Sequence, residues 1–141
     1  ILVSSIKQIE KLAQVTYIAK KLMQKHWPGG LTIILSSRHP KPFTPVILSG
    51  AKDLSQKIGF RMPNSKLVLD LIDEVGIPII GTSANIHGKN AVKSSEDLDQ
   101  DLINQVDYVV EGKCKGGIES TVVDVTVHPP KILRQGAILL S

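Results

Sequence analysis

Cysteine is almost missing from this chain. Cys114 is the only one, which excludes a disulfide framework and a cysteine-based zinc site. No apolar run approaches the length of a membrane span, and no secretory leader pattern is present. The sequence therefore reads as cytoplasmic, with no membrane partner. The four histidines lack metal-ligand spacing, so no metal site is assigned. Ser83 lacks the Gly-x-Ser-x-Gly elbow of a nucleophilic serine. The glycine-rich run from Gly112 to Gly117 is not a Walker A loop, because no Gly-Lys-Ser/Thr opens a helix there. No residue stands out as a catalytic nucleophile, acid or base, and the chemistry left is that of binding.

What is present fits one domain with a real core: 141 residues, 42% hydrophobic and 21% charged. The net charge of +4 is unevenly spread. Residues 1–70 hold 11 Lys+Arg against 3 Asp+Glu, while residues 71–141 hold 6 against 10. A basic first half favours an anionic partner, nucleotide or RNA, and is equally compatible with a solvated surface.

Periodicity predicts alternating elements. Ile1 to Val3 reads as a strand. A helix is expected from Lys7 to about His26, stopped by Trp27-Pro28-Gly29-Gly30. Strands are expected over Leu31–Leu35, Val46–Leu48 and Lys57–Met62. A helix from Ser65 to about Val75 would be capped by Asn64. The apolar Ile77–Ile80 reads as a buried strand, opening into the polar Gly81-Thr82-Ser83-Ala84-Asn85. An acidic helix near Ser94 or Ser95 follows, then strands at Tyr108–Val110, Thr121–Val127 and Ile132–Arg134. Helices interleaved with strands make an α/β domain.

Four polar clusters sit at predicted strand ends: Arg61, Thr82-Ser83-Asn85, Glu119-Ser120-Thr121, and Arg134. Separately, each is adequately read as turn or surface chemistry. Together with Trp27-Pro28-Gly29-Gly30-Leu31-Thr32, Ile58-Gly59-Phe60-Arg61-Met62-Pro63, Glu119-Ser120-Thr121-Val122-Val123-Asp124 and Leu133-Arg134-Gln135-Gly136-Ala137, they form an ordered set. That set resembles the Sua5/YciO/YrdC family of threonylcarbamoyl-AMP synthases over essentially the whole chain. The resemblance implies a single YrdC-like domain over residues 1–141, with a twisted mixed sheet similar to a double-stranded-RNA-binding fold. It implies synthesis of threonylcarbamoyl-adenylate and pyrophosphate from L-threonine, bicarbonate and ATP with Mg²⁺, for N6-threonylcarbamoyladenosine in tRNA. Partners implied are tRNA or double-stranded RNA and the proteins that transfer the threonylcarbamoyl group to tRNA. Arg61 would hold the threonine carboxylate, and Ser120 would help hold the amino acid. Ser83 and Arg134 would face ATP, with Thr82 and Asn85 completing that element. Lys57 stands where the family often carries a threonine near the nucleotide, and His87 and Ala91 interrupt the pattern usual after Asn85. These residues are expected on one concave face.

Two other readings are open: a carbamoyl-adenylate domain of a hydrogenase-maturation carbamoyltransferase, and a non-catalytic RNA-binding module. A salt-sensitive RNA affinity without nucleotide binding would favour the second. The family's N-terminal Pro-Thr-(Asp/Glu)-Thr-x-Tyr-Gly strand and Lys-x-Arg pair are not in this sequence, so an N-terminally truncated domain is expected. Residues 1–141 alone should then release pyrophosphate orders of magnitude more slowly than an upstream-extended protein, for want of cations on the triphosphate. Equal turnover by the two would show that the upstream segment is dispensable.

Overall fold

The computed structural model describes residues 1–38, 57–85, 92–114 and 118–140. They fall into two compact units: Ile1–Ile80 with Glu119–Ser141, and Gly81–Ile118.

In the first unit, α1 (Ile6–Glu10) and α2 (Tyr17–His26) precede β1 (Leu31–Ser36), β2 (Lys57–Phe60) and α3 (Lys66–Val75). The chain returns with β3 (Thr121–Asp124) and β4 (Lys131–Arg134). The strands form one sheet in the order β2-β1-β3-β4. β1 is antiparallel to β2 and parallel to β3, and β3 is antiparallel to β4. The sheet is therefore mixed, as expected.

Alternation along the strands separates two faces. Leu31, Ile33 and Leu35 of β1, Phe60 of β2 and Val123 of β3 are buried with Ile9, Ala13, Ala19 and Met23. This is the core face, and α1 and α2 cover it. The opposite face carries Thr32, Ile34 and Ser36 of β1. In register with them are Lys57 and Gly59 of β2 and Val122 and Asp124 of β3. Arg134 pairs with Val122 and extends the row. Arg61, one residue past Phe60, continues the β2 alternation onto the same face. A Cβ added at Gly59 would lie 3.4 Å from Thr32 Cγ2, which confirms this side.

Several elements differ from expectation. The stretch from Lys7 to His26 is two helices. Ala13 leaves the helical path to bridge Ser37, and Thr16 starts α2 by accepting a hydrogen bond from Ala19 N. A hydroxyl at the N-cap competes with continued helix, so Thr16 ends one periodic run and opens another. Ser65, not Asn64, precedes α3, which ends at Gly76 in the left-handed conformation, φ 75°. Ile77–Ile80 is not a buried strand: Ile79 makes a lone bridge to Leu2, and Ile77 and Ile80 are exposed. Ile1–Val3 is likewise reduced to bridges from Leu2 to Arg61 and Ile79. β3 stops at Asp124, where the carboxylate turns back on Thr126.

In the second unit a 3-10 turn, Ser95–Asp97, and a short α4, Gln100–Ile103, stand where one acidic helix was expected. Ser94 and Asp99 cap them. Tyr108–Val110 forms no strand and its Tyr108 is exposed. The expected strand Val46–Leu48, together with His87 and Ala91, lies outside the described residues. Among the described residues, no helix is long and apolar enough to cross a membrane.

Asp124 is buried at the end of β3. Oδ2 meets Lys57 Nζ at 3.1 Å, and Oδ1 accepts from Thr126 N and Oγ1 at 2.8 and 2.6 Å. Burial alone would raise its pKa; the Thr126 hydroxyl and amide, then Lys57, outweigh burial and hold it below the ordinary value. The stability this gives is present above the unfolded-state pKa and is lost as pH falls through the lowered folded value. Asp124→Asn should cost about 2 kcal/mol at neutral pH, and the gap to wild type should narrow in acid below the ordinary aspartate range. Thermal melts across that window check it, and a gap independent of pH would contradict the assignment.

Candidate functional site

The site begins at the turn between α2 and β1. Trp27 Nε1 donates to Leu31 O at 2.7 Å, tying the turn to the strand it feeds. Gly29 N donates to Met62 O at 2.9 Å, and Arg61 Nε donates to Gly29 O at 2.9 Å. The backbone of Arg61 is fixed as well, by bonds to Ile1 O and from Val3 N. Among the described residues, Nε is the only Arg61 side-chain nitrogen that hydrogen-bonds. The guanidinium is thus oriented, with both terminal nitrogens left for a ligand.

Arg134 arrives from β4. Its Nε donates to Ser120 O at 3.0 Å, Nη2 donates to Ser120 Oγ at 3.1 Å, and Nη1 pairs with Glu119 Oε2 at 2.8 Å. Burial, and then the like charge of Arg134, pull the Arg61 pKa below its ordinary value. Arginine stays protonated under such shifts. Two guanidinium groups therefore share a local field that an anion would relieve.

Ser120 is buried, and its hydroxyl lies 2.9 Å from Thr32 Oγ1. Arg134 already fills one acceptor position on Ser120. Whichever of Ser120 and Thr32 donates to the other, one hydroxyl proton of the pair remains for a ligand. This small patch holds two guanidinium groups, one of them paired with the exposed Glu119 carboxylate, and a spare hydroxyl proton. It suits recognition of a carboxylate or phosphate bearing a neighbouring polar group.

Of the residues singled out from sequence, Arg61, Ser120 and Arg134 gather on the open face of the sheet. Lys57 shares that face but pairs with Asp124. It lies four strand positions from Arg61, roughly 13 Å away. Thr82, Ser83 and Asn85 lie in the second unit; Thr82 and Ser83 are exposed and Asn85 is intermediate. That unit also has an open depression lined by Ser94, Ser95, Glu96, Val109, Glu111 and Lys113. It contains none of the residues singled out. Among the described residues no cluster of His, Cys, Asp and Glu could hold a metal. Thr32 was missed: in sequence it is one hydroxyl inside an apolar strand. Its polar position between apolar neighbours was the available signal, but its partner lies 88 residues away.

The Ser120 backbone depends on Gly136. A Cβ there would collide with Glu119 O and lie 2.7 Å from the Ser120 carbonyl carbon. Gly136→Ala must therefore push back a backbone that cannot yield cheaply.

The family described as Sua5/yciO/yrdC, telomere recombination, matches residues 1–136. A threonylcarbamoyl-AMP synthase of Pyrococcus abyssi is 33% identical over 99% of this chain and 40% of its own length. One from Bacillus subtilis is 36% identical over 96% of this chain and 38% of its own. A putative threonylcarbamoyl-AMP synthase of Methanocaldococcus jannaschii is 38% identical over 93% of this chain and 58% of its own. The chain thus spans about two-fifths of the first two relatives. The crystal structure of P. abyssi Sua5 complexed with L-threonine superposes with a TM-score of 0.81 at 30% identity, over 96% of this chain and 38% of that one.

Gly136→Ala should cost about 1–3 kcal/mol of stability and weaken phosphate and carboxylate binding together. Denaturant unfolding alongside calorimetry with both ligand types checks this. Wild-type anion affinity in the variant would detach Gly136 from the site.

Proposed function

Because the chain belongs to the Sua5/YciO/YrdC family, we propose that it is the main body of a threonylcarbamoyl-AMP synthase. Its substrates in this reading are L-threonine, bicarbonate and ATP carrying Mg²⁺ on its phosphates. The observation that carries the reading is the oriented Arg61 guanidinium, with its terminal nitrogens open beside the Ser120–Arg134 pair.

The threonine carboxylate takes a bidentate contact on the Arg61 fork, and the spare hydroxyl proton of Thr32 and Ser120 orients the rest of the amino acid. The threonine nitrogen combines with bicarbonate, forming a C–N bond and releasing water, to give a carbamate. A carbamate oxygen attacks the α-phosphorus of ATP; the bond to the bridging oxygen breaks and pyrophosphate leaves. The nucleophile is the substrate's own, so the protein contributes positioning and positive charge. That agrees with a site built from Arg, Ser and Thr. Arg134 serves the phosphate end, and Thr82, Ser83, Asn85 and Lys57 are assigned to ATP in the same reading. The adenylate is then passed to tRNA-modifying transfer proteins in the cytoplasm.

Arg61→Ala should weaken L-threonine binding roughly tenfold to a hundredfold, the worth of a charge-assisted bidentate contact. ATP affinity should change by no more than a few-fold. Lysine should rescue only partly, because it lacks the planar fork. Titration calorimetry with each substrate reads this directly, and an alanine variant with unchanged threonine affinity would remove Arg61 from the amino-acid site.

A further inference from the structure

Arg134 has three kinds of side-chain nitrogen, and each is occupied. Two are bound to Ser120 and hold the guanidinium in place. The third, Nη1, holds Glu119 Oε2 at 2.8 Å. These contacts are not equivalent. Ser120 is buried, whereas the Glu119 side chain is 73% exposed and that of Arg134 is 44% exposed. Among the described residues, Arg134 is the only partner of the Glu119 carboxylate.

The Glu119 backbone, by contrast, is pinned. Its carbonyl accepts from Ala137 N at 2.8 Å, and Gly136 packs directly against it. The carboxylate can leave Arg134 by side-chain rotation alone. The result is an anion on a short tether, delivered to the only Arg134 nitrogen that the scaffold does not need.

We propose that Glu119 is a built-in competitor for the phosphate subsite at Arg134. It occupies Nη1 in the ligand-free protein and is displaced by a multiply charged phosphate group. This rests on the reading that Arg134 faces ATP and deepens it. An exposed carboxylate–arginine pair is a weak contact, so displacement is easy for a polyphosphate with several charges and several acceptor oxygens. A singly charged anion offers little more than the carboxylate already provides. Glu119 thereby favours polyphosphate over the monovalent anions of the surrounding solution. It also keeps a second positive charge from standing unbalanced beside Arg61.

The test is a double-mutant cycle in the purified protein, using E119Q, R134Q and the pair, with titrations of ATP, inorganic pyrophosphate and L-threonine at low and high salt. Circular dichroism melts establish folding, and R134K and E119A serve as second variants at each position. E119Q should bind pyrophosphate and ATP about two- to fivefold more tightly at low salt, with the gain reduced at high salt and abolished in the R134Q background. L-Threonine affinity should stay within twofold. Unchanged or weaker pyrophosphate binding in E119Q, or the same gain without Arg134, overturns the competitor role. If the cycle holds for pyrophosphate while ATP affinity ignores R134Q, Glu119 keeps its role and the placement of ATP at Arg134 falls instead.

Discussion

One buried hydroxyl holds the functional end of the sheet together. Thr121 Oγ1 accepts hydrogen bonds from Gly136 N and Ile138 N at 2.9 and 3.1 Å and donates to Ile138 O at 2.6 Å. It is fully buried and uses both acceptor positions and its one proton. Its backbone N–H reaches Gly30 O at 2.9 Å, so the same residue also joins the turn that precedes β1. The turn that orients Arg61 and the tail that follows Arg134 are both anchored on Thr121. Valine would nearly match its shape but take away the acceptor of the Gly136 and Ile138 amides, leaving the Ile138 carbonyl with Gln135 Nε2 alone, a cost beyond that of the average hydrogen bond.

This anchoring allows like charges to stand close. Burial, and then the charge of Arg134 nearby, weaken the hold of Arg61 on its proton. A flexible surface would let the two side chains separate into water. Here each is held by backbone acceptors, Gly29 O for one and Ser120 O for the other. Both guanidinium groups are held in position before any ligand arrives, and apart from the release of Glu119 from Arg134 little reorganisation remains for the moment of binding. Lys57 on the same face differs from Arg134 in its partner: Asp124 is buried, whereas Glu119 is exposed. That pair ties β2 to β3 across β1.

Much of this was legible in the sequence, and what was not has a common cause. β1 and α3 were visible because each carries a strong period bounded by Pro, Gly or Ser. The Trp27–Gly30 stop was visible for the same reason. Thr16 misled because a hydroxyl on a helical stripe does not announce whether it caps or continues. Ile77–Ile80 misled because an apolar run reads as buried wherever it falls, yet only Ile79 finds a strand partner. Arg61, Ser120 and Arg134 could be named from ordered motifs, but not the contacts between them. Those contacts depend on the pairing register, which no local pattern contains. Thr32 is the clearest case, since its meaning comes entirely from Ser120, just before β3, and from Arg134 on β4.

The register has one further consequence. Side chains on a strand change sides at every residue, so sliding β2 by a single position against β1 would move Phe60 outward and turn Lys57 and Arg61 toward the helices. Such a sheet would bury cations and expose its core, and it could not persist. A chain that has paired its strands wrongly cannot survive as a half-active protein, because the error that spoils recognition also removes solubility. Natural variants should accordingly divide into those that fold with the patch assembled and those cleared by cellular quality control, with few soluble impostors between them.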